Sequence, residues 1–174
     1  MHENYFRATI PSVLGNLEQL TYLGLHSNRL NGTIPSKLGA LTNLIELDLS
    51  QNRFTGSISS TFGDLRQLTR LNVKTNQLNG TIPSELGNLM KISSLYLWNN
   101  TQLGGTIPSS LCLSSLFIVI DCGSIVCPTG CCKFNLNYDV PVENVDDEVY
   151  VVENDVFVYN DDSIPGDNIV DSCI

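Results

Sequence analysis

Any chemistry in this chain has to come from a short set of side chains. The densest cluster is cysteine. Cys112, Cys122, Cys127, Cys131 and Cys132 crowd into one stretch, and Cys173 stands near the end. Clustered thiols either bind a metal or crosslink. Zinc favours closely spaced pairs of Cys or His ligands. Here the spacing is C-x4-C-x3-C-C without a second spaced C-x-x-C pair, and neither His2 nor His26 is near it in sequence. Crosslinking fits better, because small irregular segments with little core are stapled this way in oxidising compartments. The expectation is at least two disulfides among the first five cysteines, with Cys173 tying back the tail or left free. Spacing alone does not choose the connectivity, although adjacent Cys131 and Cys132 should pair with different partners. Zinc is the runner-up, and no resident metal or cofactor is expected.

Catalysis finds no support. There is no G-x-S-x-G elbow, phosphate loop or H-E-x-x-H pair. His26 neighbours Ser27, but consecutive strand residues point to opposite faces, so the two are not expected to act together. The chain is therefore read as not an enzyme. Asp161, Asp162 and Asp167 lack the spacing of a calcium loop, and such an acidic run is expected to be solvated. Three sequons, at Asn31, Asn79 and Asn99, are candidate N-glycosylation sites.

Charge divides the chain. It carries 18 acidic and 9 basic side chains, for a net charge of −9. Residues 1–133 hold seven acidic and nine basic groups, whereas residues 134–174 hold eleven acidic and none basic, so the whole excess sits in the tail. So acidic a chain is a poor partner for nucleic acid. No apolar run approaches the roughly 20 residues needed to cross a membrane. Met1–Tyr5 is polar and no apolar segment of a signal peptide follows it.

The elements that position these residues follow from a repeat of 24. Leu20, Leu44, Leu68 and Ile92 keep that spacing, as do Asn28, Asn52, Asn76 and Asn100. The units read LTYLGLHSNRLNGTIPSKLGA, LIELDLSQNRFTGSISSTFGD, LTRLNVKTNQLNGTIPSELGN and ISSLYLWNNTQLGGTIPSSLC. The L-x-x-L-x-L-x-x-N core at this period predicts a solenoid whose units bury their apolar faces only against one another. Alternation of Leu23 with Leu25, and of Leu47 with Leu49, predicts short half-buried strands near 22–26, 46–50, 70–74 and 94–98, with a degenerate one near 117–120. The Asn column should serve the backbone of its own turn and of the next coil. Gly32, Gly56, Gly80 and Gly105 should relieve the following bend. An extra residue at Asn100–Leu103 shifts the fourth unit, and Leu113 arrives one residue early to restore register.

The G-x-I-P-x-x-L-G-x-L half of each unit resembles the plant-type class of leucine-rich repeats, over about Ala8–Leu116. The resemblance implies an α/β solenoid, a right-handed horseshoe with short parallel strands on its concave face. It also implies a cysteine-rich closing cap, which LCLSSLFIVIDCGSIVCPTGCCKF resembles. The expected organisation is a solenoid over 1–116, a cap over 117–133 and an acidic valine-rich tail over 134–174. Members of the class usually begin with a cysteine-bearing cap, and none is seen before Cys112, so a fragment or truncated gene is expected, with Leu14, Leu17 and Leu20 exposed at the start.

Solenoids of this kind bind partners along the concave sheet. With the leucines buried, the exposed columns should be Tyr22, Glu46, Arg70, Ser94; then Gly24, Asp48, Asn72, Tyr96; then His26, Ser50, Lys74, Trp98. The expected function is recognition of a protein or peptide, secreted or on the outer face of a membrane receptor. Tyr96 and Trp98 should anchor the ligand, while Tyr22, His26, Glu46, Asp48, Arg70, Asn72 and Lys74 complete the face. Two other readings stand beside it. One is an ice- or surface-binding protein using the hydroxyl column Thr33, Ser57, Thr81 and Thr106 beside Asn31, Thr55 and Asn79. The other is a gene fragment without a function of its own.

Overall fold

A computed structural model of the protein describes residues 6–113, 117–120, 125–126, 150–153 and 156–159. The 24-residue unit is one turn of a coil. Each turn carries a short strand, a tight bend, a second short strand and a five-residue 3-10 helix. Strands β1 (Tyr22–Gly24), β3 (Glu46–Asp48), β5 (Arg70–Asn72) and β7 (Ser94–Tyr96) alternate in sequence with β2 (Asn31–Thr33), β4 (Arg53–Gly56), β6 (Gln77–Thr81) and β8 (Gln102–Thr106). Strands β9 (Phe117–Ile120), β10 (Ile125–Val126), β11 (Tyr150–Glu153) and β12 (Val156–Tyr159) complete the order. The odd strands pair in parallel in a seven-stranded sheet, β1-β3-β5-β7-β9-β12-β11. There β12 joins β9 in parallel and β11 joins β12 antiparallel, so part of the acidic tail extends this sheet.

Pairing in the first sheet follows the repeat, with Tyr22 opposite Glu46 and Glu46 opposite Arg70. The expected strands are present but three residues long, because the chain turns sharply after each. At β9 the offset falls to 23, with Ser94 opposite Phe117. The reason lies in the side chains. A spacing of 24 would put Asp121 in the slot of Leu97, whereas the slip places Ile118 and Ile120, both 5% exposed, in the slots of Leu95 and Leu97.

The second sheet, β10-β8-β6-β4-β2, was not read from the sequence. Its pairing steps by 22 residues from β2 to β4 and from β4 to β6, as in Asn31 to Arg53 and Thr55 to Gln77, so it runs staggered relative to the first. Only one face of each strand alternates cleanly, and Gly and Asn in β2 and β6 hide the period-2 signal. The glycines expected at this bend have φ of +75°, +79°, +80° and +100° at Gly32, Gly56, Gly80 and Gly105, where a side chain is strained.

The helical segments are 3-10, at Ser12–Asn16, Ser36–Ala40, Ser60–Asp64, Ser84–Asn88 and Ser109–Leu113. The α part of the expected α/β class is thus supplied by 3-10 turns. Each helical segment is only five residues long, a length that suits a 3-10 turn and is too short to nucleate an α-helix. A second glycine column sits here. A Cβ on Gly39 would overlap the Thr61 carbonyl oxygen of the next coil, and one on Gly63 would overlap that of Glu85. These glycines let neighbouring coils approach to sheet spacing on the side away from the strands.

The core runs along the inside of the stack. Leu41, Leu44, Leu47, Leu49, Phe54 and Phe62 are fully buried, and Leu65, Leu68, Leu71, Val73 and Leu78 repeat the pattern one coil on. Leu23, Leu95 and Leu97 are buried as expected, but Leu25 is only partly so. Leu25 lies in the first coil, as do partly buried Leu14 and Leu20 and exposed Leu17.

The asparagine column ties each coil to the one before it, rather than to the next as expected. Asn76 Nδ2 donates to the carbonyls of Leu49 (3.0 Å), Val73 (3.0 Å) and Lys74 (3.2 Å), and its Oδ1 accepts from Phe54 N at 2.9 Å. Asn52 and Asn100 repeat the set. Asn28 keeps its own-turn bonds, and its Oδ1 accepts an exposed bond from Phe6 N at 3.4 Å. Replacing Asn76 with Ala strands several buried groups at about 1–3 kcal/mol each. We therefore expect Asn76→Ala to lower unfolding free energy by about 3 kcal/mol or more in urea titration. Asn28→Ala should cost about 1 kcal/mol or less.

Candidate binding face

The first sheet presents the columns named from the sequence, and their residues differ in exposure. Tyr22 is exposed, and Glu46, Arg70, Ser94, Tyr96, His26 and Lys74 are partly buried. Asp48, Asn72 and Ser50 are not exposed as expected, at 8%, 3% and 3%. Gly24 is buried also, because the Tyr22 ring lies across it where a Cβ would stand.

The short polar residues are buried because they bond to one another and lie flat on the sheet. Asp48 Oδ1 accepts from Ser50 Oγ (2.6 Å) and Ser50 N (3.0 Å), while Asp48 Oδ2 accepts from Asn72 Nδ2 at 3.1 Å. Asn72 Oδ1 in turn accepts from Lys74 N at 3.3 Å. The longer side chains of the columns on either side rise past this network.

Those longer side chains interlock across the coils. Glu46 and Arg70 are directly opposite, and Glu46 Oε1 stands 3.6 Å from Arg70 Nε. Ser94, opposite Arg70 on the other side, is small. The guanidinium therefore reaches diagonally over Tyr96, with Cζ 5.1 Å from the ring centroid. Arg70 Nε is buried without a hydrogen-bond partner. Glu46 Oε1, at 3.6 Å, is too far for a hydrogen bond, and the nearest aromatic face is that of Tyr96.

Trp98 corrects the sequence reading most strongly, being 3% exposed rather than open to a ligand. Its backbone carbonyl accepts from Thr75 N, which sets Lys74 of the preceding coil beside it, and Lys74 Nζ sits 5.0 Å from its ring centroid. A ring this wide, on strands about 4.8 Å apart, spreads over its neighbours instead of projecting. Trp98 is thus the floor under Lys74.

His26 and Ser27 also depart from expectation, since His26 Nδ1 lies 3.3 Å from Ser27 Oγ. Strand alternation does not apply, because β1 ends at Gly24 and Ser27 has φ +55°. The Ser27 hydroxyl donates to Gln51 Oε1 at 2.5 Å, so its proton is not held by the imidazole. The expected disulfides and the zinc alternative at Cys112, Cys122, Cys127, Cys131, Cys132 and Cys173 lie outside the described side chains, as do Asp161, Asp162 and Asp167.

Comparison with known proteins agrees with this architecture. A leucine rich repeat family model matches residues 18–78. The plant peptide hormone receptor RGFR1 in complex with RGF2 superposes with a TM-score of 0.64 at 34% identity, over 74% of this chain and 22% of that one. The TDR receptor gives 0.68 at 33% identity, over 75% and 23%. The chain carries plant-type leucine-rich repeats. The Arabidopsis receptor kinase HAESA, in complex with the peptide hormone IDA and the co-receptor SERK1, gives 0.66 at 34%, over 72% and 21%. This leucine-rich-repeat chain spans about a fifth of the length of these receptor structures. A search of curated proteins returns no match.

The two layers of the repeat face should respond differently to truncation. Asp48→Ala removes the acceptor of three donors in a buried site, and we expect a loss of about 2 kcal/mol or more in denaturant unfolding. Glu46→Ala removes an exposed pair worth about 0.2–1 kcal/mol. Equal losses would mean that the Asp48 network does not order the sheet.

Proposed function

We propose that the chain is a non-catalytic recognition module that binds a protein or peptide on its first sheet, outside the cell. The observation that carries this is the Arg70 guanidinium, set over the Tyr96 ring at 5.1 Å from its centroid near the middle of the sheet, on a side chain that is 43% exposed. Framework positions are consumed by packing and by backbone hydrogen bonds. Tyr22, His26, Glu46, Arg70, Lys74 and Tyr96 are left to meet a partner, and aromatic and arginine residues dominate binding hot spots. The similar receptor ectodomains are named for complexes with peptide hormones, which supports the same class of ligand here. Among the described residues no helix is long and apolar enough to cross a membrane.

The buried residues change how the face works. Asp48, Asn72 and Trp98 shape and stiffen it, and Arg70, Lys74 and Tyr96 make contact. A planar, stacked arginine favours acidic groups held by paired hydrogen bonds. Peptides selected from a random display library on the full chain should be enriched in Asp and Glu. Arg70→Ala and Tyr96→Ala should each weaken a selected peptide at least tenfold in biolayer interferometry, consistent with hot-spot losses of about 2 kcal/mol. Thr33→Ala should leave it unchanged. Loss with Thr33→Ala and retention with Arg70→Ala would move the site to the second sheet and its hydroxyl column.

A further inference from the structure

Three sequons of one type fall in three different environments. Asn31, the first residue of β2, is exposed and its side-chain amide makes no hydrogen bond among the described residues. Asn79, in β6, is partly buried and its amide is likewise uncommitted. Each is followed by a glycine of positive φ, +75° and +80°, and then by an exposed threonine, Thr33 or Thr81. Asn99 differs in its backbone and in its contacts. It has φ +56°, its Nδ2 lies 3.4 Å from Thr75 Oγ1 of the preceding coil, and its carbonyl accepts from Asn76 N at 3.1 Å. Its neighbours Trp98 and Asn100 are 3% and 0% exposed, and Asn100 donates to Val73, Leu97 and Trp98 carbonyls.

We propose that Asn31 and Asn79 carry N-linked glycans and that Asn99 does not. In the transfer the Asn Nδ2 attacks the anomeric carbon of an oligosaccharide carried on a polyprenyl diphosphate. The N–C bond forms, the C–O bond to the diphosphate breaks, the diphosphate leaves with the bonding pair, and the amide nitrogen loses one proton to base. A sugar at Asn31 or Asn79 breaks no side-chain hydrogen bond among the described residues, since neither amide is committed. At Asn99 it would have to break the contact with Thr75 and open the seam that Asn100 closes.

The consequence reaches beyond the two residues. Strands β2 and β6 flank β4, so the glycans stand two strands apart on the second sheet. They would overhang the exposed hydroxyls of Thr33, Ser57 and Thr81. A sugar-covered second sheet cannot seat a flat crystalline surface, whereas the first sheet stays open. This inference does not depend on what the first sheet binds.

The test uses the full chain behind an added secretion signal, expressed in mammalian cells. Both secreted and retained protein are deglycosylated by peptide N-glycosidase in heavy-oxygen water and mapped by mass spectrometry. We expect labelled aspartate at positions 31 and 79 and unmodified asparagine at 99. Thr33→Ala and Thr81→Ala should each remove one glycan mass. Label at 99 in either fraction, or unmodified asparagine at 31 or 79 in secreted protein, overturns the proposal.

Discussion

The constraint on which the structure depends is the need to satisfy backbone groups at a turn that every coil buries under the next. After each strand the chain reverses through a non-glycine residue of positive φ, Ser27, Gln51, Thr75 or Asn99. Such a conformation costs about 1 kcal/mol or more. It leaves carbonyls facing inward with no strand to receive them. The asparagine that follows answers them, taking two carbonyls of its own turn and one of the coil before, and accepting the amide of that coil's next strand. One side chain therefore closes a turn and fixes the distance between turns. The helix-side glycines Gly39 and Gly63 permit the same distance on the far side of the coil. Coil spacing is set at both ends, and the leucines fill what lies between.

Most of this was legible because packing writes itself periodically. The strand positions, the buried Leu47, Leu49 and Leu71, and the bends at Gly32 and Gly56 all follow from spacing. What was missed is informative. The second sheet left no alternation, since β2, β4, β6 and β8 are rich in glycine and polar residues and hold at most one large apolar residue each. The β9 slip was hidden because a spacing argument counts residues, whereas the register observed is the one that buries Ile118 and Ile120.

The binding face was less legible, for a different reason. Alternation says which side of a strand a residue occupies, but not whether it stands up from the sheet. Asp48, Ser50 and Asn72 occupy the expected side and are still buried, because three short polar groups at adjacent positions satisfy one another. Trp98 occupies it too and lies down under Lys74. Exposure on a sheet is settled by pairwise chemistry across coils, between residues 24 apart in sequence, such as Glu46 with Arg70. Those pairs are visible in the repeat alignment once side-chain length and hydrogen-bonding capacity are compared as well as face.

A division of labour follows from these contacts. The residues that hold the coils together are repeated and buried, and a change in one is felt in its neighbours through shared hydrogen bonds. The residues left to meet a partner differ from coil to coil and touch mainly each other, as Arg70 touches Glu46 and Tyr96. Sites that share no partners change stability nearly independently. Ligand preference can therefore be altered at Arg70, Lys74 or Tyr96 at little cost to the stack, while the Asp48 network beneath keeps the surface flat. A solenoid with its packing concentrated in one set of positions and its recognition in another can change what it binds without changing how it folds.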